Sequence, residues 1–69
     1  MTNNVAKIIE VVGTSEESID DAIRGAVEKA AKTIEDLQWF EVIETRGHIE
    51  NQKVGRFQVM LKIAFGVRD

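Results

Sequence analysis

The chain has no cysteine, no proline and no tyrosine, and only one histidine and one tryptophan in 69 residues. Without cysteine, no disulfide can hold the fold together and no thiolate metal site can form. His48 has no companion His or Cys for a metal centre and no Ser-His-Asp arrangement around it, so neither a metal site nor nucleophilic catalysis is expected. Lys and Arg number 9 against 12 Asp and Glu, a net charge of −3. No basic stripe is left for a phosphate backbone, and nucleic acid is not an expected partner. No apolar run approaches the roughly 20 residues that span a bilayer, and Met1-Thr2-Asn3-Asn4 lacks the charged start of a signal peptide. The expectation is a cytoplasmic protein with no membrane partner.

A chain this short reads as one domain over residues 1–69. At such a size a folded monomer buries only about 60% of the surface its unfolded chain exposes. With neither disulfide nor metal to add stability, association with further copies is the expected supplement.

Residues Val5 to Val12 are rich in β-branched side chains and predict a first strand, ended by Gly13. Thr14 or Ser15 then caps a helix, with Glu17 completing a capping box after Thr14. From Glu16 to Leu37 the apolar positions Ile19, Ile23, Ala26, Ala30, Ile34 and Leu37 recur at three and four, which predicts one long helix. Gly25 weakens a helix interior, so close packing against it is the expected compensation. A second strand follows from Trp39 to about Ile49, with Phe40 and Val42 toward the helix and Trp39, Glu41 and Ile43 on the opposite face. Glu50-Asn51-Gln52-Lys53 is a polar hairpin connection. The third strand carries Phe57, Val59, Leu61, Ile63, Phe65 and Val67 at every second position, facing the helix.

The helical crossover makes the first two strands parallel and the hairpin reverses the third, so a fully antiparallel sheet needs the third strand in the middle. The expected architecture is α+β: a β-α-β-β chain whose three-stranded antiparallel sheet curls around one helix. One helix cannot cover both faces. The second face, with Trp39, is expected to meet other copies. A tryptophan there is either an interface anchor or a stacking surface for a flat ligand, and the residues alone leave both open.

Four stretches, Gly13-Thr14-Ser15, Trp39-Phe40-Glu41-Val42, Arg46-Gly47-His48 and Phe57-Gln58-Val59, resemble in order and spacing the dodecins, small flavin-binding proteins of prokaryotes. The resemblance runs from about Lys7 to Phe65. It implies a hollow homo-dodecamer that stores FMN, FAD or riboflavin at twofold contacts without turning it over, with protection from light as a further consequence. It implies that Trp39 stacks on the isoalloxazine ring and that the Gln58 amide meets the ring's pyrimidine edge. Arg46 would reach the ribityl hydroxyls or a terminal phosphate, its alternative being a subunit salt bridge. Trp39 and Gln58 share the non-helix face and are expected to form a cleft. Close bacterial relatives often carry a basic residue directly after the Phe of the last strand. This chain has Gly66 there, with Arg68 two positions on as a candidate substitute. The rival expectation is a self-assembling structural oligomer that binds nothing.

Overall fold

The computed structural model describes residues 5–67. Strand β1 (Ala6–Ser15), helix α1 (Ile19–Ala31), strand β2 (Leu37–Glu50) and strand β3 (Lys53–Gly66) follow in that order, and the sheet is ordered β1-β3-β2 with both pairings antiparallel. The third strand is central, as the antiparallel argument requires. Its buried Val59, Leu61 and Ile63 form the core with Ala22 of the helix.

The boundaries of the helix differ most from the pattern in the sequence. The chain stays extended through Gly13, Thr14 and Ser15, because Gly13 pairs with Val59 and lies so close to α1 that a Cβ would strike the Ala22 carbonyl. Neither Thr14 nor Ser15 caps α1. Ser18 does, its Oγ accepting from the Asp21 N–H at 3.0 Å. Buried Ser15 instead orders the connection: its Oγ accepts from the Glu17 and Ser18 N–H groups and donates to the Asp21 carboxylate at 2.7 Å.

At its other end α1 stops at Ala31. Lys32 and Thr33 donate to carbonyls three residues back, tightening the last turn. Asp36, at φ 64°, reverses the chain into β2. Ile34 and Leu37 therefore continue the apolar spacing without being helical, and Leu37 packs on the core from β2. A periodic pattern records which side chains face the core, and here a turn and a strand supply the last two. The hairpin holds Asn51 and Gln52 at φ 52° and 64°, a two-residue turn with both residues left-handed. Val67 lies just beyond β3.

With 13 residues, α1 is about 20 Å long, whereas β2 and β3 at 14 residues each reach about 46 Å. The helix packs on β1 and β3 and leaves β2 largely uncovered. Phe40 and Val42 do pair with Ile63 and Leu61 and so share the helix-side face, yet they remain 49% and 38% exposed. The expected burial of these two side chains beneath α1 does not occur, because the helix is too narrow to span three strands about 4.8 Å apart. Gly25 also lacks its expected neighbour: a Cβ there would meet nothing within 4 Å.

The subunit is open in shape. Its radius of gyration is 14.5 Å, where about 11 Å is usual for this length. It exposes 5513 Å², against about 4,300 Å² for a compact monomer of its mass.

Candidate functional site

Cross-strand partners in an antiparallel sheet share a face, so the register orders the face turned away from α1 into rows. Ile8, Ala64 and Trp39 form the first, followed by Glu10, Lys62 and Glu41, then Val12, Met60 and Glu44. Thr14, Gln58 and Arg46 form the fourth row, and His48 with Arg56 the last. Trp39 is 50% exposed, and the fully buried Ala64 beside it has only a methyl group. A depression of about 110 Å³ is lined by Trp39 together with Val27, Leu37, Gln38, Phe40 and Ile63. The indole is thus presented at the edge of the sheet and is not enclosed by its own subunit.

A bulge decides where Arg46 lies. Strict alternation from Trp39 through Glu41 and Ile43 would place Arg46 on the helix side. The register shifts between Val42 and Glu44, so Glu44 opposes Met60 and Ile43 has no partner in the ladder. The residues from Glu44 to His48, up to the next register shift, change face. Glu44 takes the place expected of Ile43, and Arg46 arrives opposite Gln58 on the face that carries Trp39.

There Arg46 donates to the Glu44 carboxylate at 3.3 Å, with both side chains more than half exposed. The pair holds the guanidinium on the surface, where an exposed contact of this kind is weak enough to be exchanged for another anion or hydroxyl. Arg56 donates in the same way to Glu50 at 3.4 Å near the hairpin.

The cleft expected between Trp39 and Gln58 does not form within one subunit. Trp39 opposes Ala64, six residues along β3 from Gln58, a separation of about 20 Å at 3.3 Å per residue. The intervening rows hold Lys62 and Met60. The structure brings Gln58 and Arg46 together and leaves Trp39 apart from both.

At Gly66 the Asp36 backbone and two exposed side chains lie close by. The backbone N–H donates to the Asp36 carbonyl at 3.0 Å, and a Cβ would collide with the Asp36 carboxylate and lie 2.9 Å from the Gln38 amide nitrogen. Both are ends of exposed side chains that can swing aside, so packing does not account for glycine in place of a basic residue after Phe65. Arg68 lies outside the described residues. Among the described residues, no group of three or more His, Asp or Glu side chains is placed to hold a metal ion, and no helix is long and apolar enough to cross a membrane.

A family model described as Dodecin matches residues 5–68. The chain is 45% identical over 65 residues to the dodecin of Thermus thermophilus, covering 94% of each. The solved dodecin of Streptomyces coelicolor superposes with a TM-score of 0.94 at 43% identity, covering 100% of this chain and 99% of that one. A more distant structure, the calcium dodecin of Mycobacterium tuberculosis, is described as calcium-chelating with a novel calcium-binding site; it matches at a TM-score of 0.81 and 29% identity, over 93% of this chain and 91% of that one.

Proposed function

The chain belongs to the dodecin family, and on that premise we propose that it is a cytoplasmic, non-catalytic flavin-binding homo-dodecamer that stores and sequesters FMN, FAD or riboflavin. The observation that carries this reading is the half-exposed indole of Trp39 at the margin of the sheet, next to a buried alanine. An indole held flat against an electron-poor tricyclic ring gains buried area and a favourable stacking geometry.

The donor set suits a flavin on one condition. Gln58 offers a carbonyl and an amide NH2, matching a pyrimidine edge that both donates and accepts. Arg46 offers charge-assisted hydrogen bonds to ribityl oxygens or phosphate. These two adjoin one another but stand about 20 Å from Trp39 of the same chain. One ring can be held by all three only if Trp39 comes from one copy while Gln58 and Arg46 come from another, which a symmetric assembly supplies without further sequence. A bound flavin supplies a light-absorbing, redox-active ring. Trp39 in contact with it can donate an electron after excitation and recover it, which dissipates the energy with no substrate consumed.

The second reading is a structural oligomer with no ligand. It is favoured by the run of exposed apolar side chains that Trp39 begins with Phe40, Val42 and Ile43, since a subunit contact would also use them. Fluorescence separates the two. Adding ligand-free protein to riboflavin or FMN quenches the emission if the indole stacks on the ring; emission from both flavins that stays unchanged at micromolar protein leaves the structural oligomer.

A further inference from the structure

We propose that Arg56 and His48, at the hairpin end of the face that carries Trp39, form the part of the binding site that receives the phosphate group of a phosphorylated flavin such as FMN. The inference rests on the flavin reading above and adds to it the residues that tell a phosphorylated flavin from riboflavin.

The charge on this face changes sign along its length. The two rows that follow Trp39 hold Glu10, Glu41 and Glu44 against the one cation Lys62. The next two rows, toward the hairpin, hold Arg46 and Arg56, and their other members Thr14, Gln58 and His48 include no acid. Beyond them Glu50 and Lys53 oppose each other and cancel. In a chain with a net charge of −3, this corner is the part of the face that attracts an anion.

The corner is also open. β1 leaves the sheet after Ser15, so the row of His48 and Arg56 has no third strand beside it. Glu16 and Glu17 belong to the connection into α1, and among the described residues Arg46 and Arg56 pair only with Glu44 and Glu50. Those contacts, at 3.3 and 3.4 Å, each engage one nitrogen of a guanidinium that has five N–H donors. Donors remain for phosphate oxygens, which accept from arginine in pairs. The exposed His48 ring, directly opposite Arg56, supplies a further N–H.

Position agrees with charge. Arg56 lies two residues along β3 from Gln58 and His48 two along β2 from Arg46, so each is about 6.6–6.8 Å further toward the hairpin on the same face. A ring whose pyrimidine edge meets Gln58 leaves its phosphate arm to run along the face in one of two directions. Toward the Trp39 end, a phosphate with about two negative charges approaches Glu44 and then Glu41 and Glu10. Toward the hairpin it meets Arg56 and His48. Gly66, at the other end of β3, offers no cation.

Fluorescence titrations of FMN and of riboflavin with the parent, Arg56→Gln, Arg56→Lys and His48→Gln test this. The readout is the ratio of FMN to riboflavin affinity, which a merely structural loss leaves unchanged because both ligands weaken together. The parent is expected to favour FMN, by a margin that shrinks as sodium chloride is raised. Arg56→Gln and His48→Gln should each lower the ratio, the first on the order of tenfold. Arg56→Lys, which keeps the charge, should retain much of it. A parent ratio near unity, or one that either glutamine substitution leaves unchanged, overturns the proposal while the flavin reading stands. Quenching of neither flavin by the parent overturns both.

Discussion

Arg46 stands directly opposite Gln58 across the β2–β3 pair, on the face that also carries Trp39 and about 20 Å from it. A one-residue bulge after Val42 is what brings the arginine to that face. Gln58 and Arg46 are therefore gathered at one place on the sheet and Trp39 at another, and under the proposed function one flavin site would draw on two copies.

If one site draws on two copies, Trp39→Ala and Gln58→Ala chains should complement one another. Each variant alone is expected to lose most of its flavin binding. Assemblies re-formed from an equimolar mixture should recover a measurable fraction, because some sites receive both native side chains. Titrating the mixture against the two separate variants checks this, and no recovery would place Trp39 and Gln58 in independent sites.

Arg46→Ala separates recognition from stability. Its bond to Glu44 is solvent-exposed, and such pairs contribute less than about 1 kcal/mol. Denaturant midpoints of parent and variant should nearly coincide while flavin affinity falls severalfold. A large loss of stability with unchanged affinity would make Arg46 a structural residue of the subunit contact.

Gly13→Val tests the close approach of β1 to α1. A Cβ at this position meets the Ala22 carbonyl and lies 3.1 Å from the Ala26 Cβ, so backbone must move to admit it. Overpacking of this kind costs about 1–3 kcal/mol. Urea unfolding should show a lower midpoint with the slope unchanged.

Ser18→Ala removes the acceptor of the Asp21 N–H and should destabilise the fold by about 0.5–2 kcal/mol. The sequence pattern instead nominates Thr14 or Ser15 as the cap, and Thr14→Ala, at an exposed position within β1, is expected to have a smaller effect. Thermal melts of the two variants side by side distinguish the assignments.

Most of the fold is legible in the sequence because it follows from which residues are apolar. The alternation from Phe57 to Phe65 identifies the central strand, and the hairpin at Asn51 and Gln52 fixes its direction. Where the helix ends is less legible, since Ile34 and Leu37 keep the apolar spacing after the backbone has left the helix. The reach of α1 over the sheet is not legible at all, because it depends on the width of a helix compared with three strands, and Phe40 and Val42 are consequently exposed. Trp39, Gln58 and Arg46 can all be named from residue type and family resemblance. Their separation cannot, because the bulge between Val42 and Glu44 has no glycine to signal it and the distance along β3 becomes visible only in the register.

Titration of riboflavin and FMN with the parent protein and with Trp39→Ala, with the mass of each assembly measured in parallel, bears most directly on the role of the indole. Quenching that saturates near one flavin per chain in the parent, and is mostly lost in Trp39→Ala at unchanged assembly mass, is the expected result. Equal quenching by both proteins at the same mass would contradict it and remove Trp39 from the flavin site.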